Sequence, residues 1–90
     1  MATVHIPTPL RKYTNNKSQI VLGSGTIASL FSEFESSCPG VKTRLYNTDG
    51  TIKRYINIFV NGKDIRNLAG QETVVGDRDE IYIIPAMAGG

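Results

Sequence analysis

Residues 26–37 read Thr-Ile-Ala-Ser-Leu-Phe-Ser-Glu-Phe-Glu-Ser-Ser and carry the clearest periodic signal in the chain. Four apolar side chains recur there at i, i+3, i+4 and i+7, namely Ile27, Leu30, Phe31 and Phe34. That spacing forms one apolar stripe on an α-helix. Thr26 is a plausible N-cap residue, and Pro39 ends the segment. The sequence therefore predicts one principal helix over residues 26–37.

The segments on both sides of this helix alternate apolar and polar residues, which is typical of half-buried β-strands. The alternation covers four stretches, residues 3–6, 18–22, 55–60 and 80–84. Residues 14–17 predict a hairpin-type connection, residues 23–25 a break after the second strand, and Pro85 the end of the last strand. Residues 65–75 are mixed and are interpreted as a loop with short elements. We predict an α+β domain with a mixed four- to five-stranded sheet and the helix on one face.

Length and composition exclude several classes of protein. Ninety residues fit one small domain, and a net charge of +2 with scattered basic residues argues against a nucleic-acid surface. Cys38 is the single cysteine, which excludes an internal disulfide and predicts a cytoplasmic protein. No apolar run approaches the roughly 20 residues of a membrane-spanning helix.

Side-chain chemistry has little support. His5 is the single histidine and lies on the outward side of a predicted strand, while Cys38 follows the helix end, a position that does not activate a thiol. The glycines at 23 and 25 lack the Lys-Ser/Thr of a phosphate loop. We therefore predict that the protein is not an enzyme and binds no metal or cofactor of its own.

Two other features have more potential for function. Val21, Phe59, Tyr82 and Ile84 fall on the sheet face opposite the helix, where an exposed apolar patch would indicate an interaction surface. The alternative is that residues 41–46 or 65–75 cover part of it.

Residues 86–90, Ala-Met-Ala-Gly-Gly, have no charged side chain and little apolar bulk. They are either a frayed terminus or a flexible tail that follows a domain of residues 1–85 and presents its carboxylate to another enzyme.

The chain resembles the ubiquitin-like sulfur carriers of the ThiS/MoaD family along essentially its whole length. The resemblance rests on the order of the elements, the helix stripe, and the motifs at residues 6–7, 57–62, 76–77 and 84–90. It implies a ubiquitin-like β-grasp fold. The run at 57–65 together with the ending is most similar to the CysO-like branch, which supplies sulfur for cysteine biosynthesis.

The resemblance also implies a mechanism and its partners. The carboxylate of Gly90, preceded by Gly89, would be adenylated by an adenylyltransferase of the ubiquitin-activating type with ATP and Mg²⁺, and then converted into a thiocarboxylate. A cysteine synthase with pyridoxal phosphate would accept the sulfur, and a zinc metallopeptidase would release the product. From the apolar row on the sheet face and the tail that follows it, we predict that the partner interface comprises Phe59, Tyr82, Ile84, Ala86, Met87 and Ala88.

Three alternatives stay open at this point. The carrier could supply sulfur for molybdopterin or thiamin synthesis instead of cysteine synthesis. The chain could be a ubiquitin-like modifier that is joined to target lysines through Gly90. It could also be a plain binding module with a flexible tail.

Overall fold

A mixed five-stranded sheet forms the frame of the protein, whose computed structural model describes residues 1–86. The strands in chain order are β1 (Ala2–His5), β2 (Gln19–Leu22), β3 (Gly25–Thr26), β4 (Ile56–Val60), β5 (Lys63–Asp64), β6 (Val74–Val75) and β7 (Glu80–Pro85). Five of them form the sheet in the order β2-β1-β7-β4-β5, and β3 pairs with β6 in a separate ribbon. β1 and β7 run parallel at the centre, while the outer pairs are antiparallel.

The principal helix, α1 (Ile27–Ser37), agrees with the prediction from residues 26–37. Thr26 is its N-cap, and a reciprocal capping box joins it to Ser29. The Thr26 Oγ1 accepts a hydrogen bond from the Ser29 N–H at 3.2 Å, and the Ser29 Oγ accepts one from the Thr26 N–H at 2.9 Å. Two orphan N–H groups at the helix start are thereby satisfied. The capping box therefore defines the start of the helix at Ile27.

The helix stripe packs on one face of the sheet to form the core. Its four apolar side chains are buried together with strand residues Val4, Ile58, Ile81 and Ile83. The Phe31 ring meets the edges of Phe34 and Tyr46 at centroid distances of 6.5 and 6.2 Å. A short second helix, α2 (Lys42–Leu45), adds its buried Leu45 to the same side. The predicted fold class, α+β with one main helix on one face, is confirmed.

Two local predictions need correction. Residues 23–25 do end β2, but Gly25 and Thr26 then form β3. A Cβ on Gly25 would lie 2.5 Å from the Ser29 Oγ, so the capping box requires a glycine there. β7 includes Pro85, one residue beyond its predicted end. The Ala86 N–H donates to the Tyr55 carbonyl, so Pro85 opposite Ile56 occupies a non-hydrogen-bonded position that needs no N–H.

The remaining connections are more structured than the sequence suggested. Between β1 and β2 the chain forms a 3₁₀ turn at Thr8–Tyr13 before the polar residues 14–17. Thr14 in that polar stretch is buried, and its hydroxyl lies within hydrogen-bond distance of the Lys17 carbonyl. Residues 65–75, predicted as a loop with short elements, contain two 3₁₀ turns, at Ile65–Asn67 and Gly70–Glu72, followed by β6.

Truncating the helix stripe should destabilise the fold. Phe31→Ala or Phe34→Ala should lower the free energy of unfolding by roughly 3–5 kcal/mol, because each removes a fully buried ring from a packed core. Chemical denaturation measures the loss, with the exposed helix residue changed in Ser36→Ala as control. Unchanged stability of both phenylalanine variants would contradict the core assignment.

Glu35 connects the end of α1 to α2, and this connection should depend on pH. Its carboxylate accepts hydrogen bonds from the backbone N–H groups of Gly40 at 3.0 Å and Lys42 at 2.8 Å, which lower the Glu35 pKa. A lowered folded-state pKa gives stability that is present above the ordinary carboxyl pKa and is lost as the pH falls.

Glu35→Gln should therefore lower the melting temperature at pH 7, and this difference from the wild type should shrink as the pH falls from about 5 to 3. Circular dichroism melts across this range provide the test. The control is Glu72→Gln, because Glu72 is exposed and accepts no side-chain hydrogen bond within residues 1–86. A difference independent of pH would contradict the assigned role of the carboxylate.

Candidate functional site

The last strand delivers the C-terminal segment from the middle of the sheet. β7 lies between β1 and β4, and its pairing with β4 continues through Pro85 to the hydrogen bond from Ala86 to Tyr55. The base of the segment is therefore held by β4, whereas the pairing of β7 with β1 ends at Tyr82. Met87, Ala88, Gly89 and Gly90 lie outside the described residues, so their predicted flexibility and reactivity remain predictions.

The sheet face opposite α1 carries a row of apolar side chains, which we call the outer patch: Phe59, Tyr82 and Ile84. Phe59 pairs directly with Tyr82 across β4 and β7, and Ile84 is the second residue along β7 from Tyr82. Tyr82 is 39% and Ile84 is 45% exposed, and Phe59 is half-buried. The alternation in the sequence predicted this placement. Its role as a partner surface remains a prediction.

The segments that could have covered the outer patch lie elsewhere or leave it open. Residues 41–46 pack on the helix side, where Val41, Leu45 and Tyr46 are buried in the core. Residues 65–75 leave Tyr82 and Ile84 open. Val21 is 53% exposed on the same face, but its strand is two positions from β7, about 10 Å away, and Thr3 and Glu80 lie between. Val21 is therefore not contiguous with the outer patch.

His5 extends the outer patch onto β1. Its ring stacks on the Tyr82 ring with centroids 4.1 Å apart and an interplanar angle of 2°. The His5 Nε2 lies 2.7 Å from a carboxylate oxygen of Glu80, where it can donate a hydrogen bond. The contact with Glu80 orients the His5 ring, and the stack packs that ring against Tyr82. Strand alternation predicted that His5 lies on the outward face, but its contact with Tyr82 depends on the parallel β1–β7 register and could not be predicted from the sequence.

A polar cluster borders the outer patch on the β5 side, and we call it the Arg66 cluster: Asn57, Asp64 and Arg66. The Arg66 guanidinium donates to both Asp64 carboxylate oxygens, from Nε at 3.2 Å and from Nη2 at 2.8 Å, and Nη2 also donates to the Asn57 Oδ1. The Arg66 hydrogen bonds lower the Asp64 pKa. Asp64 lies opposite Phe59, and Asn57 lies opposite Ile84. No pattern in the sequence predicted this cluster, because residues 65–75 showed no periodicity.

The His, Cys, Asp and Glu side chains of residues 1–86 do not converge on a metal site. Cys38 caps α1 and packs half-buried against the core. The described helices also include none long and apolar enough to span a bilayer.

Known proteins with the same architecture carry sulfur or modify other proteins. The chain is 36% identical over 90 residues to the sulfur carrier protein CysO of Mycobacterium tuberculosis strain H37Rv, covering 98% of this chain and 97% of that protein. It matches a chain of the Amycolatopsis orientalis BexX/CysO complex with a TM-score of 0.92 and 37% identity over the whole of both chains. The small archaeal modifier protein 1 of Methanosarcina acetivorans matches with a TM-score of 0.82 and 26% identity, covering 99% and 95% of the two chains.

These matches establish the ubiquitin-like β-grasp fold that the resemblance implied. The relatives are carriers and modifiers and not enzymes, which fits the prediction that the protein is not an enzyme. The ThiS family profile matches residues 4–90, from the third residue of β1 to the terminal glycine. The chain therefore belongs to the ThiS family.

Proposed function

We propose that the protein is a sulfur carrier whose Gly90 carboxylate is converted into a thiocarboxylate. The observation that carries the proposal is the position of β7, a central strand that leads directly into the Ala-Met-Ala-Gly-Gly ending of a ThiS-family chain. The near full-length similarity to a named sulfur carrier supports it.

The chemistry requires activation, because a carboxylate is a poor electrophile. The carboxylate oxygen of Gly90 attacks the α-phosphorus of ATP, and pyrophosphate leaves. Sulfide then attacks the acyl carbon, displaces AMP and leaves the thiocarboxylate. A persulfide on a partner would displace AMP to give an acyl disulfide, from which a partner thiol would release the thiocarboxylate and form a disulfide on the partner. ATP and Mg²⁺ bind to the activating partner, an adenylyltransferase of the ubiquitin-activating type. Gly89 and Gly90 suit this step because a chain without Cβ atoms passes through a narrow channel.

The proposed acceptor pathway is cysteine biosynthesis in the cytoplasm. Similarity to two proteins named CysO favours it over molybdopterin or thiamin synthesis. The thiocarboxylate sulfur would add to an aminoacrylate on a cysteine synthase with pyridoxal phosphate. The resulting cysteine adduct on Gly90 would rearrange to an amide, which a zinc metallopeptidase would hydrolyse.

Docking on the adenylyltransferase is assigned to the outer patch, with Ala86, Met87 and Ala88 guiding the terminus into the active site. Exposed apolar side chains beside the base of the tail allow one partner to bind the domain and the terminus together. The solved Amycolatopsis relative forms a complex with BexX, which supports a role in protein binding.

A second candidate function is protein modification through Gly90. The structural match to a small archaeal modifier protein favours it specifically. Both functions begin with the same adenylate and differ in the nucleophile, which is sulfur for a carrier and a lysine amine for a modifier. Intact mass measurement distinguishes them, because a carrier exchanges one oxygen for sulfur whereas a modifier becomes linked to other proteins.

Phe59→Lys should weaken adenylation while the domain stays folded, because a charge would replace the ring that lies directly opposite Tyr82 in the outer patch. The matched control is Val21→Lys, which adds the same charge on the same face about 14 Å away, three strands across the sheet. Pyrophosphate release with the adenylyltransferase measures the rate, and circular dichroism checks the fold. Wild-type rates in a folded Phe59→Lys protein would exclude the patch as the docking surface.

Deleting Gly90, or adding one alanine after it, should abolish thiocarboxylate formation without changing stability. One residue moves the carboxylate by about 3.5 Å, and a misplacement of this kind can reduce a rate about a hundredfold or more. Mass spectrometry after incubation with the adenylyltransferase, ATP and sulfide measures sulfur loading. Efficient loading of either variant would show that Gly90 is not the reactive end.

A further inference from the structure

We propose that Arg66 determines specificity for the adenylyltransferase by binding a carboxylate side chain of that enzyme. The inference rests on the proposed function for the identity of the partner. The Arg66 guanidinium is held at the edge of the outer patch by Asp64 and Asn57. These two residues lie opposite Phe59 and Ile84, respectively.

The Arg66 guanidinium is oriented before any partner arrives. Three of its five N–H donors are engaged, two by the Asp64 carboxylate and one by the Asn57 amide oxygen. The two N–H groups on Nη1 have no hydrogen-bond partner within residues 1–86. The Arg66 side chain is 61% exposed. The Arg66 side chain is already fixed by these hydrogen bonds. It therefore loses little conformational entropy when a partner binds Nη1.

The charge around Arg66 selects the kind of group that binds. An open hollow of about 350 Å³ lies beside the Arg66 cluster at the edge of β4, and its apolar floor is formed on the core side of the sheet by Ile52, Ile56, Ile58 and Ile65. Its charged lining residues are Lys53, Arg54, Asp64 and Arg66, three cations against one carboxylate. Asp64 is only 17% exposed and is already bonded to the side chain and the backbone N–H of Arg66. An incoming carboxylate therefore meets a net positive site with free donors.

The Arg66 cluster also lies beside the base of the C-terminal segment, which the partner enzyme must bind. Asn57 is opposite Ile84, two residues before Ala86, where the pairing of β7 with β4 reaches Tyr55. An enzyme that contacts the outer patch and takes up the terminus would cover Arg66 at the same time. A carboxylate bound there would favour one docking register, because a guanidinium imposes a planar geometry that an ammonium does not.

The experiment measures the affinity of the full-length protein for its adenylyltransferase by calorimetry. Arg66→Gln should weaken binding about tenfold or more, consistent with the loss of a charge-assisted hydrogen bond at an interface. Arg66→Lys should stay within about threefold of Arg66→Gln, because an ammonium lacks the planar fork. Arg78→Gln, which removes the same charge from the exposed 76–79 turn, should bind like the wild type. Circular dichroism confirms that each variant folds.

Wild-type affinity in Arg66→Gln would overturn the inference. Full affinity in Arg66→Lys would show that charge alone accounts for binding, which would overturn the role assigned to the planar guanidinium. Binding of the chain's own terminal carboxylate by Arg66 would also overturn it. That case would show as a shift of the Gly90 amide resonance in free Arg66→Gln with unchanged partner affinity. If the wild type neither binds the adenylyltransferase nor gains sulfur, the proposed function fails as well. If the wild type is loaded normally and Arg66→Gln binds equally, this inference alone fails.

Discussion

The parallel pairing of β1 with β7 is the constraint on which the rest of the structure depends. It joins the first and last strands at the centre of the sheet and places Val4 beside Ile81 in the core. The same register sets His5 against Tyr82 on the opposite face. A parallel pair needs a long crossover, and α1 lies within that crossover, so the helix packs on one face and leaves the other open. The open face and the exit of the C-terminal segment both follow from this one pairing.

Local chemistry explains why the helix and most strands could be predicted from the sequence. The stripe from Ile27 to Phe34 and the capping residue Thr26 act within one helix, so their pattern is independent of the rest of the fold. Strand alternation similarly assigned Phe59, Tyr82 and Ile84 to one face. The predictions from residues 3–6, 55–60 and 80–84 were therefore correct to within one or two residues at each end.

What the sequence did not predict depends on contacts between distant residues. The β3–β6 ribbon joins residues about fifty positions apart, and its two-residue strands are too short to show a period. The stacking of His5 on Tyr82 requires the sheet order. The Arg66 cluster depends on the hairpin that brings Asp64 opposite Phe59, and on the 3₁₀ turn that directs Arg66 back toward Asn57. Such contacts belong to the fold and not to any single segment.

A carrier of the proposed kind must bind one enzyme, leave it and bind another, which places opposing demands on its surface. A patch of three apolar side chains is small, so the complex can dissociate quickly, but a small patch also gives little binding free energy. Preorganisation compensates for this. The stack with His5 holds Tyr82, and the fork with Asp64 holds Arg66, so neither loses much conformational entropy on binding. Specificity then depends on the geometry of a few fixed side chains, and the contact area can stay small enough for the carrier to be released.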